Sequence, residues 1–147
     1  MSSSDDFAPA GQNRLLKLLP ESVLDRLRPH LEPVRPALKH TLHKPNERVT
    51  HVWFPLSGVA SIIAVLDDGS MIEVATVGNE GFVGLPVFLG ATSMPHLAIN
   101  QVPGDYVRME EGVVRREVNG NGPLVNVLRR YTQGLVNQMA QTAACNR

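Results

Sequence analysis

The sequence has a single cysteine and no excess charge, and each shortage excludes a class of protein. Cys145 is the only cysteine among 147 residues, so no disulfide can form within the chain. Basic and acidic residues number 14 each. Without a net positive charge, the chain has no field that would draw it to the phosphates of a nucleic acid. We therefore expect no DNA binding by this chain alone.

Long apolar runs and a secretory signal are also absent. The longest apolar stretch, Val59 to Leu66, is interrupted by Ser61 and is far shorter than the roughly 20 residues of a membrane span. The first residues, Met-Ser-Ser-Ser-Asp-Asp, lack the basic residues and apolar core of a signal peptide. We expect a cytoplasmic protein without a membrane partner. Its length fits one domain, since domains typically have about 100–200 residues.

The N-terminal part predicts a leader followed by short helices. Residues 1–12 are rich in Ser, Asp, Ala, Pro and Gly, with no periodic apolar face, which predicts a disordered leader. From Leu15 to Leu31 the leucines and Val23 recur at helical spacing, which predicts two short helices joined around Leu19-Pro20. The prolines that follow exclude a longer helix.

The middle of the chain has the pattern of a sheet protein. Between Val34 and Met109, β-prone runs alternate with turn signals about every ten residues. The clearest hairpin pairs Val59–Leu66 with Met71–Val77 across an Asp-Gly turn. One apolar segment between glycines, residues 84–90, reads as a single helical turn between strands. Residues 13–122 therefore predict an α+β fold, an antiparallel β-roll of about eight strands (a double-stranded β-helix, jelly-roll-like).

The C-terminal part predicts a short helix over residues 110–118 and a long one from Pro123. We assign 123–147 as a dimerisation helix, because it has one continuous apolar stripe and small residues on a second face. One face can cover the roll while the other packs against a partner helix. We place the stripe in a homodimer interface: Leu124, Leu128, Tyr131, Leu135 and Met139.

This order of elements, from about Asn13 to Arg147, resembles the effector domain of the Crp/Fnr transcription regulators. The resemblance is carried by residues 51–58 (His-Val-Trp-Phe-Pro-Leu-Ser-Gly), by residues 73–85 (Glu-Val-Ala-Thr-Val-Gly-Asn-Glu-Gly-Phe-Val-Gly-Leu) and by residues 141–147 (Gln-Thr-Ala-Ala-Cys-Asn-Arg). It implies a sensor domain whose long helix dimerises and leads into a winged helix-turn-helix domain. We expect that DNA-binding domain to lie outside this chain.

The resemblance also implies a ligand site at the inserted helical turn. In cyclic-nucleotide-binding members, backbone N–H groups there bind the phosphate, a glutamate binds the ribose and an arginine pairs with the phosphate. Here Gly84-Leu85-Pro86 stands in the place of the acid and His96-Leu97-Ala98 in that of the arginine. We therefore expect neither cyclic AMP nor cyclic GMP to bind. Another small effector and no ligand at all remain open. The candidate pocket residues are Gly84, Leu85, Pro86, Val87, His96, Leu97 and Ala98.

Two other functions compete with a regulator. A cupin-like metal enzyme would need closely spaced ligands inside the roll, but His40 and His43, three apart on one strand, would point to opposite faces. No other arrangement suits nucleophilic or acid–base catalysis, so we expect no enzyme, no catalytic residue and no metal. A stand-alone small-molecule-binding β-roll module remains the main alternative.

Overall fold

The computed structural model describes residues 12–145, so the predicted leader lies almost entirely outside it. The helices are α1 (Arg14–Lys17), α2 (Glu21–Leu27), which continues into a 3-10 turn (Arg28–His30), α3 (Leu85–Leu89), α4 (Glu111–Asn119) and α5 (Pro123–Cys145). The strands are β1 (Glu32–Val34), β2 (Thr41–His43), β3 (His51–Pro55), β4 (Val59–Val65), β5 (Met71–Val77), β6 (His96–Val102) and β7 (Tyr106–Glu110). Within this range no helix is long and apolar enough to cross a membrane.

The strands form two antiparallel sheets, with the orders β1-β7-β3 and β2-β6-β4-β5. The predicted Asp-Gly hairpin is confirmed as β4 and β5, with Val65 opposite Met71. Gly69 in its turn has a φ of +87°, a conformation that glycine adopts without steric cost. The α+β class is confirmed, with seven strands in the described range rather than about eight.

The predicted helical turn between strands is present as α3. Just before it, Val83 pairs only with Trp53, through two backbone hydrogen bonds of 2.8 Å. Gly84 then turns the chain at a φ of +123°, where a β-carbon would lie 3.0 Å from Cγ2 of Val52. The pairing therefore stops after one residue, and the segment enters a helix instead of extending the sheet.

The core has two apolar clusters, and α5 belongs to both. Leu124 and Leu128 lie fully buried in the cluster that also contains Phe54 and Met109. Leu135 lies in the second cluster, with residues of the four-stranded sheet. The long helix is therefore packed on the chain's own roll over more than three turns.

This packing changes the assignment of the predicted stripe on α5. Leu124, Leu128 and Leu135 are buried, while Tyr131 and Met139 are partly buried against the clusters. All five side chains cover the roll of the same chain, because the widest apolar face of the helix is buried against the sheets to which it is connected. In this conformation a homodimer would have to use another face of α5, and dimerisation itself stays a prediction.

Candidate ligand pocket

A small pocket lies between the four-stranded sheet and α5. Its walls are mostly apolar: Ile62, Val77 and Ala98 come from the strands, and Leu135 and Met139, one turn apart, come from α5. The segment from Phe82 to Leu85 closes one side. The pocket is thus bounded by both the sheet and the helix that would report on its occupancy.

The cavity is nearly filled by its own side chains. Its volume is about 20 Å³, close to the space that one water molecule needs. An organic ligand can therefore enter only if part of the wall moves. Opening the strand side would break backbone hydrogen bonds between strands, whereas displacing the side chains of Leu135 and Met139 would not, so the helix side opens at the lower cost.

Two histidines supply the polar groups that line the pocket. His43 in β2 lies opposite Ala98 in β6, and His96 comes two residues before Ala98, so both rings lie on one face of the sheet. Nε2 of His43 and Nδ1 of His96 are buried and have no hydrogen-bond partner. These two ring nitrogens are the side-chain polar atoms with which a water molecule or a ligand in the pocket can form hydrogen bonds.

The protonation state of His43 follows from its surroundings. Its side chain is only 8% exposed, and burial lowers the pKa of its ring against smaller raising effects of the Met94 backbone and Glu47. The ring is therefore neutral at pH 7. The bond to the Met94 backbone involves the other ring nitrogen, because Nε2 has no partner. Because this interaction raises the pKa, the Met94 backbone acts as an acceptor, so Nδ1–H donates to its carbonyl and Nε2 presents a lone pair.

The structure brings together most of the predicted pocket residues, but not all of them. Gly84, Leu85, His96, Leu97 and Ala98 line the pocket. Pro86 and Val87 do not line it: both are buried, and Val87 belongs to the first core cluster. The helical turn therefore directs its next residues into the core and leaves only its first residue, Leu85, at the pocket.

Several pocket residues could not be found from sequence spacing. His43 and His40 are three residues apart, a spacing that predicts opposite faces of one strand, but the structure places His40 in an exposed loop before β2 and His43 at the pocket. His43 shares the pocket with His96 of β6, which lies 53 positions further along the chain. No pattern of neighbouring residues predicts the pairing of these two strands. In the described range, no three His, Cys, Asp or Glu side chains come together as a metal site.

The position of α3 is fixed from the α4 side. Arg115 donates from Nη2 to the carbonyl of Ala91, just after α3, at 2.8 Å. Its guanidinium also pairs with Glu111, which a second arginine, Arg48, contacts as well. These two arginines lower the pKa of Glu111, Arg115 more strongly. The network keeps the pocket-side turn attached to α4.

The sequence matches no known protein family and no curated protein, but solved structures share its fold. The sensor domain of the transcriptional regulator DNR from Pseudomonas aeruginosa has a TM-score of 0.70 and 14% identity, covering 95% of this chain and 93% of that one. The regulator CLP from Xanthomonas campestris, described as c-di-GMP responsive, has a TM-score of 0.72 and 14% identity, covering 85% and 63%.

A third similar structure is the regulatory subunit of a cAMP-independent protein kinase A from Trypanosoma brucei, as a mutant with cAMP bound. Its TM-score is 0.77 at 16% identity, and the match covers 99% of this chain and 52% of that one. The present chain thus spans less than two thirds of the kinase subunit and of CLP. Cyclic nucleotide-binding domains recur among the similar structures. The fold of this chain is that of the cyclic nucleotide-binding domains.

Proposed function

We propose that this chain is the sensor domain of a Crp/Fnr-like bacterial transcription regulator, cytoplasmic and without enzymatic activity. Residues 13–122 form the sensing roll and residues 123–147 the output helix, while a further domain outside this chain contacts DNA. The observation that carries the proposal is the shared wall of the pocket: Leu135 and Met139 of α5 close a cavity lined by strands of the roll.

That shared wall gives a mechanism for signalling. A ligand larger than one water molecule must displace Leu135, Met139 or the part of α5 that holds them. Such a ligand stabilises an arrangement of the helix in which the wall is open, and it shifts the population only by its difference in affinity for the two arrangements. The state of the pocket is thereby expressed as the position of α5.

In this proposal the position of α5 is transmitted to a second copy of the chain in a homodimer. With the first stripe on the roll, α5 presents a second face beside it, on which Val136, Ala140 and Ala143 are exposed. Their spacing of four and three residues is that of the contact positions in a coiled coil. The side chain of Val136 is 51% exposed. We assign the dimer contact to this outer face.

The single cysteine allows this arrangement to be tested on the unmodified chain. Cys145 is exposed at the end of α5, so a spin label there reports on the partner by double electron–electron resonance. We expect one short inter-label distance in the wild type and in Q141E, which places the same charge on an exposed position outside that run of contact positions. The distance should be lost in V136E, because a charge buried in the contact has no partner.

Sedimentation velocity decides the outcome. A wild-type chain that is monomeric at tens of micromolar, an approximate limit set by ordinary interface affinities, would contradict dimerisation. It would favour the stand-alone binding module instead. A dimer that survives V136E would place the contact on a different surface.

A further inference from the structure

The lining of the pocket excludes most charged ligands. Among the described residues that line it there is no Arg, Lys, Asp or Glu. A phosphate or an ammonium group placed there would lose its hydration without gaining an ion pair, which is strongly unfavourable. The pocket therefore suits an uncharged, largely apolar molecule.

The two histidines specify what polar group such a molecule must have. Nε2 of His43 is buried and has no hydrogen-bond partner. Its lone pair is free to accept, because the hydrogen of this ring lies on the other nitrogen, next to the Met94 backbone. A ligand that only accepts hydrogen bonds leaves this nitrogen unpaired. A ligand that donates one satisfies it.

The second histidine narrows the class further. His96 lines the same pocket, and its Nδ1 is also buried and unpaired. A hydroxyl group can donate to one ring nitrogen and accept from another, whereas an ether oxygen can only accept. From this geometry we infer that the pocket binds a compact, uncharged apolar alcohol or phenol whose hydroxyl donates to Nε2 of His43.

The helix wall is adapted to such an occupant. Met139 has a flexible thioether side chain that contacts rings favourably and repacks easily, and Leu135 lies one turn away on the same side of the pocket. A ring-sized ligand would occupy the space that these two side chains now fill. This inference rests on the proposed sensing role of the pocket and names the class of its ligand.

A matched pair of probes tests the inference on the full chain. Phenol and anisole share the benzene ring and one oxygen atom, and anisole has one methyl group more, which burial alone would favour, but only phenol donates a hydrogen bond. In ¹H–¹⁵N NMR titrations at pH 7.5 we expect saturable shifts around the pocket with phenol and an affinity for anisole at least tenfold weaker. Equal affinities, or no saturable binding of phenol, would overturn the inference without any variant being made.

Variants then locate the donor's partner. In H43L the preference for phenol over anisole should fall to about one, while H40Q, which removes an exposed histidine, should keep the wild-type ratio. H43F is the second variant in case H43L fails to fold, since its ring takes a similar space and offers no hydrogen-bond acceptor. A preference that persists in every folded His43 variant would contradict the assignment.

The pH dependence supplies an independent readout. Protonation of His43 removes its lone pair, so phenol affinity should decrease as the pH falls through the lowered pKa of this ring, and anisole affinity should not follow it. The ionisable groups near this ring are Glu47 from the loop after β2 and His96 from β6, while β4, β5 and α5 present only apolar side chains to the pocket. Because these titrations measure binding and not assembly, they can fail or succeed independently of the dimer test.

Discussion

A β-carbon on Gly81 would lie 2.2 Å from Cζ of Tyr131 in α5. The backbone at Gly81 therefore packs so closely against the Tyr131 ring that position 81 has no room for a side chain. The same ring lies 5.4 Å from that of Phe82, between centroids, and Phe82 lines the pocket. Burial raises the pKa of the Tyr131 hydroxyl, with a smaller contribution from Glu80. This contact joins the pocket wall to the helix half-way along α5.

Gly81→Ala should destabilise the fold by about 1–3 kcal/mol, the usual cost of overpacking a filled interior. The double variant with Tyr131→Ala should cost less than the sum of the two single changes, because the ring that clashes is gone. Urea unfolding measures both. Gly112→Ala is the control: a β-carbon there meets nothing within 4 Å, and alanine favours the helix by up to about 1 kcal/mol. Additive single changes would contradict the predicted clash.

Asn13→Ala should also be costly, by about 2–3 kcal/mol. The fully buried side chain of Asn13 accepts from the N–H groups of Leu15 and Leu16 and donates to the carbonyls of Pro55 and Gly81, at 2.8 and 3.0 Å. The change removes a helix cap and leaves two carbonyls without this donor. Thermal unfolding should show a clearly lower midpoint. Asn126→Ala on the exposed face of α5 should stay within about 0.5 kcal/mol of the wild type.

Stability should decrease as the pH falls below 6.5, because burial lowers the pKa of His43 and of His51, the latter with a contribution from Arg108. Between the ordinary histidine pKa and the lowered value in the folded chain, the unfolded chain binds more protons, so acid favours unfolding. The contribution is fully present above pH 7. In H43Q the loss between pH 7 and 5 should be smaller, as measured by urea unfolding at each pH. H40Q should retain the wild-type profile.

At pH values below the range in which the histidines titrate, the stability depends on two glutamates. Arg108 lowers the pKa of Glu32, chiefly through a side-chain hydrogen bond, and Arg115 with Arg48 lowers that of Glu111. Their stabilisation is present above the ordinary glutamate pKa of about 4.3 and is lost as the pH falls through the lowered values.

For the histidine prediction, an H43Q stability profile identical to that of the wild type between pH 7 and pH 5 would refute the role of His43.

Cyclic AMP and cyclic GMP should give no saturable heat in calorimetry at ligand concentrations up to about 1 mM, which corresponds to less than roughly 4 kcal/mol of binding. No described residue of the pocket lining is a cation that could pair with the phosphate. Micromolar binding would contradict this. In that case His96, which stands in the place of the family's arginine, would be the partner of the phosphate, and H96A would abolish the binding.

Local features of this protein could be predicted from its sequence because their causes are local. The Asp-Gly turn pairs β4 with β5, a glycine-bounded apolar segment forms α3, and a 3.6-residue period forms α5. In each case the residues that decide the conformation lie within a few positions of one another. The absence of the glutamate and the arginine of the family's binding motif could also be predicted, because the residues at 84–86 and 96–98 show it directly.

Long-range pairing decided the rest. The spacing of the α5 stripe showed that the helix has an apolar face, but only the packed roll showed that Leu124, Leu128 and Leu135 are buried in the same chain. Likewise, His43 and His96 share a pocket because β2 pairs with β6 across more than 50 residues, and no periodicity within one strand contains that information. Side-chain period is a property of the local backbone, whereas the partner of each face depends on which distant surfaces the whole fold brings into contact.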